Sequence, residues 1–511
     1  MRDDGFLPGY RLAVITLDAH AAGPAARAVE RLADEFPGLR VSIHAAAEWG
    51  ENPEALEEAR SAVRHADIVV CTLLFIEEHV QAILPELTAR RDDLDALVGL
   101  IADPAITKLT KMGVLDMSQP ASGAMKLLKS LKPKPKPGGG SAQASMAMLR
   151  RLPQILRYLP GKAQDLRAYF LAMQYWLGGS DDNIREMIRF LVARYSGDAT
   201  WGKVEAAAPV EYPEVGLYHP DLPGHGIVTD PARLPRPAGA RGTVGLILMR
   251  SYILAGDCAH YDGVIRALEA KGLAVRPAFA GGLDGRPAVE RYFKREDGAA
   301  DIDALVSLTG FSLVGGPAYN DSQAAVETLT GLDVPYVAAH ALEFQTLGQW
   351  AESAGGLGPV EATMLIALPE IDGGTCPTVF GGRHGPGGCH GCRYDCAAAG
   401  AARAMAPCLE RVESLSEKVT RLVRLRQREN ADKKVAVVLF GFPPNAGAVG
   451  TAAYLSVFES LWNTLNRMRD EGYAVEVPDS VDDLRRIVLE GNAAQYGQQA
   501  NVAAHVDAET I

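Results

Sequence analysis

Cysteine is scarce in this 511-residue chain, with seven in all. So few thiols exclude a fold built on disulfides, and the 48% of apolar residues is ample for ordinary cores instead. Basic residues are also in deficit, 51 against 63 acidic, for a formal charge of −12. Phosphate backbones need a basic surface, so no nucleic acid is expected as a partner. Long hydrophobic runs are missing: no uninterrupted apolar stretch approaches a membrane span. The opening MRDDGFLPGY has no basic region leading into an apolar run, so no signal peptide is expected. A cytoplasmic, non-transmembrane protein with reduced thiols follows. The chain also lacks the loop ending in Gly-Lys-Ser/Thr that grips ATP phosphates, which argues against ATP chemistry within it.

The few cysteines are not scattered. Five of the seven lie between Glu361 and Cys408, and Cys389, Cys392, Cys396 and Cys408 fall within twenty residues. Clustering against a low background is what a ligand set looks like. Structural zinc sites usually bring two short Cys pairs. Here three cysteines share one tight loop and a fourth follows from the next element, a spacing that suits a [4Fe–4S] cluster. Zinc and free or redox-paired thiols stay open as alternatives.

Length predicts three or four domains. Residues 1–131 alternate strand and helix: strands at Leu12–Leu17, Leu39–His44, Ile68–Leu74 and Leu94–Ala102, helices at Ala22–Phe36, Pro53–His65 and Val80–Arg90. Such alternation with continuous apolar strands predicts a doubly wound parallel sheet, flavodoxin-like or Rossmann-like. Asp18, His20, Glu77 and Glu78 would then stand at strand ends, where helix N-termini also favour carboxylates. Lys132–Ala142 (KPKPKPGGGSA) is a linker. Residues 143–240 form a helical and irregular connection, with Ala163–Arg194 helical, a stop at Gly178-Gly179-Ser180 and a new cap at Asp181 or Asp182. Its aromatics Tyr169, Phe170, Tyr175 and Trp176 are expected in a core, and Arg150, Arg151 and Arg157 on a solvated face.

A second α/β unit occupies 241–360, with strands at Val244–Met249, Ala274–Ala278, Asp303–Leu308 and Val334–Ala338. Polar and aromatic residues crowd its loops: Arg250, Tyr252, Asp257, His260, Tyr319, Asn320, His340 and Glu343. That density predicts a pocket. Residues 361–430 carry an acidic loop, the cysteines and a long helix, Ala401–Arg428. Residues 431–511 begin a further α/β unit, with strands at Val435–Phe440 and Tyr473–Val477 around a helix at Ala453–Met468. The fold class expected is therefore α/β and multidomain, successive doubly wound units joined by helical connections.

These residues carry a family resemblance. LPEIDG at Leu368–Gly373, VFGGRHG at Val379–Gly385, SYILAGDCAHYDGVIRALEAKGL at Ser251–Leu273 and KKVAVVLFGFPPNAGAVGTAAYLSVF at Lys433–Phe458 resemble the large H subunit of magnesium chelatase. VITLDAHAAG and IVVCTLLFIEEH resemble its first domain and favour magnesium over the related cobaltochelatase. The resemblance implies binding of protoporphyrin IX and insertion of Mg²⁺ as substrate, the committing step of (bacterio)chlorophyll synthesis. It implies AAA+ motor subunits (I and D type) as partners that hydrolyse ATP. It also likens the cysteine quartet to an iron–sulfur motif of some bacterial members. The alternatives are a cobaltochelatase-type subunit acting on a corrin and a non-catalytic porphyrin-binding or redox-sensing module. The H subunit is typically more than twice this length.

Metal insertion requires removal of two pyrrole protons and delivery of a reluctantly dehydrated Mg²⁺, tasks for carboxylates and imidazole. Glu370, Asp372 and His384 are the catalytic candidates, although Asp372-Gly373 also reads as a turn. Arg250, Tyr252, His260, Tyr319, His340 and Arg383 are the candidates for substrate binding.

Overall fold

A computed structural model describes residues 9–119, 156, 162–439, 449–450 and 454–491, apart from 18–21, 33, 47–48, 51, 317–318, 386–387, 395 and 397–403. Asp18, His20, the Lys132–Ala142 linker, Arg150, Arg151, Arg157 and most of the glycine-rich turn after Phe440 lie outside these residues.

Residues 1–420 form one compact unit containing two sheets. The first sheet carries β1 (Tyr10–Thr16), β2 (Leu39–Ala45), β3 (Ile68–Thr72), β4 (Ala96–Leu100), β5 (Lys111–Met112) and β6 (Leu115–Asp116), in the order β2-β1-β3-β4-β5-β6. The first four strands are parallel, and β5 and β6 close the edge antiparallel. Every residue of β3 and β4 is buried, as expected of strands covered on both faces. The helices are α1 (Ala22–Leu32), α2 (Pro53–His65), α3 (Glu77–Arg90) and the short α4 (Pro104–Lys108). Asn52 caps α2 by accepting from Glu54 and Ala55 N–H. Glu77 and Glu78 sit exposed in the first turn of α3, complementing its dipole.

The helical stretch expected at Ala163–Arg194 is two helices, α5 (Lys162–Gly178) and α6 (Asp181–Tyr195). Gly179 takes φ +65, and Ser180, not Asp181 or Asp182, is the cap, its hydroxyl accepting from Asn183 N–H. The pair is no free connection. Tyr169, Tyr175, Met187, Ile188 and Leu191 share one core with α1 and the strands β1, β3 and β4. Arg31 on α1 pairs with Asp181 and Asp182 at 2.8 and 3.1 Å. The 143–240 segment thus divides, its helices belonging to the first sheet.

The second sheet opens with β7 (Val215–Tyr218) and β8 (Ile227–Val228). Next come β9 (Thr243–Met249), α7 (Arg250–Ala255), α8 (Ala259–Ala270), β10 (Ala274–Ala280), α9 (Arg286–Tyr292) and β11 (Ala304–Ser307). A small ladder, β12 (Gly315–Gly316) with β13 (Tyr319–Asn320), precedes α10 (Ser322–Leu332), β14 (Tyr336–Leu342) and α11 (Leu347–Glu352). A π-helical turn at Ala362–Ala367 leads to β15 (Thr375–Arg383) and β16 (Met405–Pro407). The order is β16-β15-β14-β11-β9-β10-β7-β8, with a parallel centre from β15 to β10. In both sheets the chain's first parallel strand lies between the second and the third. The direction of winding therefore reverses between β1 and β3, and between β9 and β11. Ligands of such sheets bind outside the carboxyl ends at that reversal.

A long helix, α12 (Leu409–Gln427), replaces the one expected from Ala401, because Met405–Pro407 is drawn into the sheet as β16. Residues 421–511 form the second unit, with α13 (Val457–Asp470) and α14 (Val481–Glu490). The strands expected at Val435–Phe440 and Tyr473–Val477 do not form among the described residues. Val435, Val437 and Val438 are exposed at 55%, 52% and 91%, so this β-prone segment has no sheet to bury it. Among the described residues no helix is long and apolar enough to cross a membrane.

His340 was expected beyond a strand end. It lies inside β14, 1% exposed, because the strand runs on to Leu342. Burial pushes its pKa down to about 4. The unfolded chain, with an ordinary imidazole, binds this proton from about pH 6.5 downward and the folded chain does not, so stability should fall as pH drops from about 6.5 to 4. The loss attributable to this one residue is about 3 kcal/mol. Urea unfolding of His340→Gln across that window should give a flatter stability profile than the parent, and parallel profiles would contradict this assignment.

Candidate functional site

A two-lobed cleft opens at the strand ends. Its wider lobe, about 310 Å³, is walled by Leu73 after β3, by Trp176 and Leu177 of α5, by Leu254 of α7 and by Leu283 after β10. The second lobe, about 240 Å³, adds Phe170 and Met173 of α5 and the irregular stretch around Tyr212. Leu177, Arg250 and Gly282 line both. Each lobe lies near the lower end of the range for small-molecule sites, roughly 300–1,000 Å³, and together they fall within it.

Local chain geometry builds this cleft. The strand β9 turns directly into α7 at Arg250, whose Nε and Nη2 donate to the carbonyls of Pro213 and Tyr212 at 3.0 and 3.2 Å. That fixes the guanidinium where the lobes join. After β10 the chain needs two glycines. A Cβ at Gly281 would stand 2.2 Å from Glu214 Oε2, and Gly282 has φ +80. Leu73 and Ile101, at the carboxyl ends of β3 and β4, adopt φ +58 and +46. Such conformations cost of order 1–3 kcal/mol each in non-glycine residues and cluster at ligand sites. Phe75 and Ile76 follow Leu73 and are exposed at 54% and 48%. Glu211 and Glu214, both exposed, stand at the rim of the second lobe.

Of the expected substrate-binding residues, only Arg250 lines the cleft. Tyr252 and His260 line a separate pocket of about 50 Å³, with Thr309, Glu343 and Phe344, beside the reversal between β9 and β11. The Tyr252 hydroxyl donates to Glu343 Oε1. Burial first, and then the Glu343 carboxylate, hold the Tyr252 phenol well above the usual tyrosine range, while Arg383 pulls it back. His260 was expected just past a strand end, at the head of a helix running to Lys271. It sits in the first turn of α8, fully buried, its ring 3.8 Å from that of Tyr261 and stacked on Phe380 at 5.8 Å. Tyr319 lies on the β12–β13 ladder, and its side chain is outside the described residues.

The catalytic candidates part company. Glu370 ends exposed on the helical turn Leu368–Ile371. Asp372, two residues on, is 2% exposed, and its Oδ2 accepts from Leu313 N–H at 2.8 Å. Burial raises its carboxyl, against the pull of Ser312 and the Leu313 amide. It pins the loop before β12, and Gly373 at φ +98 completes the turn. His384 follows β15, half-buried, with both ring nitrogens enclosed and without a hydrogen-bond partner among the described residues, and Arg383 Nε beside it is likewise enclosed.

Composition hid the apolar walls of the cleft. Trp176 was expected in a core and lies in one, with Tyr169 and Tyr175, but its edge also walls the cleft. The available signal was that α5 is apolar over a broad arc, Tyr169–Ala172–Tyr175 within the core and Phe170–Met173–Leu177 beside it, reaching the cleft.

The cysteines converge. Cys389, Cys396 and Cys408 are buried and Cys392 half-buried. Cys389 and Cys396 exchange backbone hydrogen bonds of 2.9 and 3.2 Å, which closes the loop. Cys408 opens α12, and its N–H donates to Phe380 O on β15 at 2.9 Å. Burial pushes the Cys408 thiol up, the Arg411 backbone N–H pulls it down, and the other three cysteines push it up again, so all four share one locality. Beside them lies a cavity of about 400 Å³ bounded by Trp350, Cys389, Cys392, Cys408 and Arg411. Among the described residues no three of these sulfurs lie within 4.8 Å of one another.

Residues 173–510 match the model of the CobN/Magnesium Chelatase family, and residues 11–170 match a domain described as of unknown function. The magnesium-chelatase H subunit of Cereibacter sphaeroides is 65% identical over 507 residues, 99% of this chain and 42% of the relative. The aerobic cobaltochelatase subunit CobN of Pseudomonas aeruginosa is 29% identical over 327 residues, 62% of this chain and 24% of the relative. The catalytic subunit of cobaltochelatase from Mycobacterium tuberculosis shares the fold, with a TM-score of 0.55 at 19% identity over 95% of this chain and 33% of that one. The chain spans about two fifths of the length of the H subunit it matches, and it belongs to the CobN/magnesium-chelatase family.

Proposed function

We propose that this chain is the porphyrin-handling part of a magnesium chelatase H subunit, acting in the cytoplasm on protoporphyrin IX in (bacterio)chlorophyll synthesis. The observation that carries this reading is the extent of the likeness. Similarity to an H subunit runs across 99% of the chain, including the first sheet, whereas similarity to the cobaltochelatase subunit covers 62%. Mg²⁺ is a substrate here, and the ATP-hydrolysing work belongs to the AAA+ partner subunits, in keeping with the missing phosphate loop. Of the two acidic candidates Glu370 is the exposed one, and we assign to it the task of accepting a proton or passing on a hydrated cation. Asp372 acts by holding its loop.

The four cysteines suit a [4Fe–4S] cluster better than zinc. Tetrahedral zinc, with Zn–S of about 2.3 Å, draws its thiolates to roughly 3.8 Å from one another. The sequence spacing, three cysteines in one tight loop and a fourth from the next element, and the cavity beside them favour the larger cubane. Cys408 at the head of α12 adds a helix N-terminus, which favours a thiolate. When bound, such a cluster supplies one-electron redox chemistry. Anaerobically purified protein should contain iron and sulfide, and Cys392→Ser and Cys408→Ser should each lose them. Stoichiometric zinc without iron would overturn the cubane reading.

The function is tested by exchange. This chain should replace the matched 507 residues of the Cereibacter sphaeroides H subunit and still support ATP-dependent Mg²⁺ insertion with the I and D subunits. A folded chimera that is inactive, or that inserts cobalt into a corrin instead, would refute the assignment.

A further inference from the structure

The two-lobed cleft joins features that come from five separate parts of the chain, the stretch from Pro209 to Glu214 among them. Leu73 is the residue after β3, so the wider lobe opens at the winding reversal of the first sheet. Met249 ends β9, one flank of the reversal in the second sheet, and Arg250 begins α7. The helical pair supplies Trp176, Leu177 and Ile184, and the loop after β10 supplies Gly282 and Leu283. Two ligand-binding edges of doubly wound sheets thus face one shared space. Its lining is mostly apolar; the charged side chains among the described lining residues are Arg250 at the waist and Glu211 and Glu214 at the rim of the second lobe, with Ser251, Gln174 and Tyr212 as the neutral polar ones.

We propose that this cleft is the seat of the porphyrin, a flat apolar macrocycle with carboxylates along one edge. The inference rests on the function proposed above and adds the place where the ligand lies. The indole of Trp176 and the side chains of Leu177, Leu254 and Leu283 offer the wider lobe to the macrocycle face, where aromatic and aliphatic walls gain most from burial. Arg250 receives a carboxylate. Its guanidinium is already fixed by the Pro213 and Tyr212 carbonyls, so little side-chain entropy is lost on binding. Glu211 and Glu214 set the orientation: they repel acid groups from the outer rim of the second lobe, which directs the apolar edge toward Leu73. The strained backbone at Leu73 keeps that wall in place.

The test is a fluorescence titration of the purified chain with protoporphyrin IX and, separately, with its dimethyl ester, which has no free carboxylate. Leu177→Trp and Leu283→Trp fill the cleft from partly exposed positions, and circular dichroism and thermal melting report whether each variant folds. The parent should bind both ligands saturably. Each filling variant should weaken both ligands by at least about tenfold, and Arg250→Gln should weaken the free acid alone. Saturable binding by the parent with unchanged affinity in folded filling variants overturns the seat and leaves the proposed function standing. Absence of saturable binding by the parent overturns both the seat and the reading of this chain as porphyrin-handling.

Discussion

Parallel strands buried on both faces leave a ligand only one approach, the carboxyl ends. The rest of this structure is arranged under that constraint. The central strands of both sheets are sealed by helices, and the side chains between them are core. Chemistry is displaced to the residues just past the strands: Leu73, Arg250, Gly281–Leu283 and Thr309. Arg27 on α1 donates to Ala255 O on α7 at 2.5 Å, and Arg31 pairs with the capped start of α6. These contacts bind the helix layer of the first sheet to the helix that leaves β9. A cleft lined by both sets of strand ends is the geometric result.

Much of the fold was legible because the periodicities are unmixed. Pro53–His65 has the same limits in sequence and structure, since Asn52 and Pro53 mark its start and the burial pattern its face. Parallel strands read as short apolar runs, and the helices between them read as amphipathic. Legibility failed where the answer depended on distant partners. VAVVL at Val435–Leu439 has every local feature of a strand, yet a strand exists only where another lies beside it. The extension of β14 to Leu342 was hidden for the same reason. It pairs with β15, almost forty residues on, through a ladder with two register shifts.

The candidate site was legible by residue type more than by position. Histidine and acid in loops of a doubly wound unit suggested ligands, but packing decides between ligand and core. His260 and His340 fill space between aromatic or apolar neighbours. Glu370 and Asp372 are two residues apart and have opposite fates, because the helical turn ends between them and throws one outward and the other toward Leu313. No spacing rule separates them. The cleft walls were harder still. Leu73, Trp176, Arg250 and Leu283 span more than two hundred positions, and each taken alone is an ordinary core or loop residue.

The cysteine quartet and the cleft are nonetheless parts of one packed body. Cys408 is bonded through its amide to Phe380, the Phe380 ring lies on His260, and His260 abuts the ring of Tyr252 at 5.0 Å. Tyr252 belongs to α7, the helix that begins with Arg250 at the waist of the cleft. Every link is a buried aromatic or a backbone hydrogen bond, with no exposed loop between. Interiors packed to this density do not absorb volume changes locally. The four thiols and α7 are thus joined by a few packed rings. The same rigidity explains why His260 is better used as a spacer in that stack than as a ligand: a ring that moved to meet a substrate would open the contact between Phe380 and Tyr252.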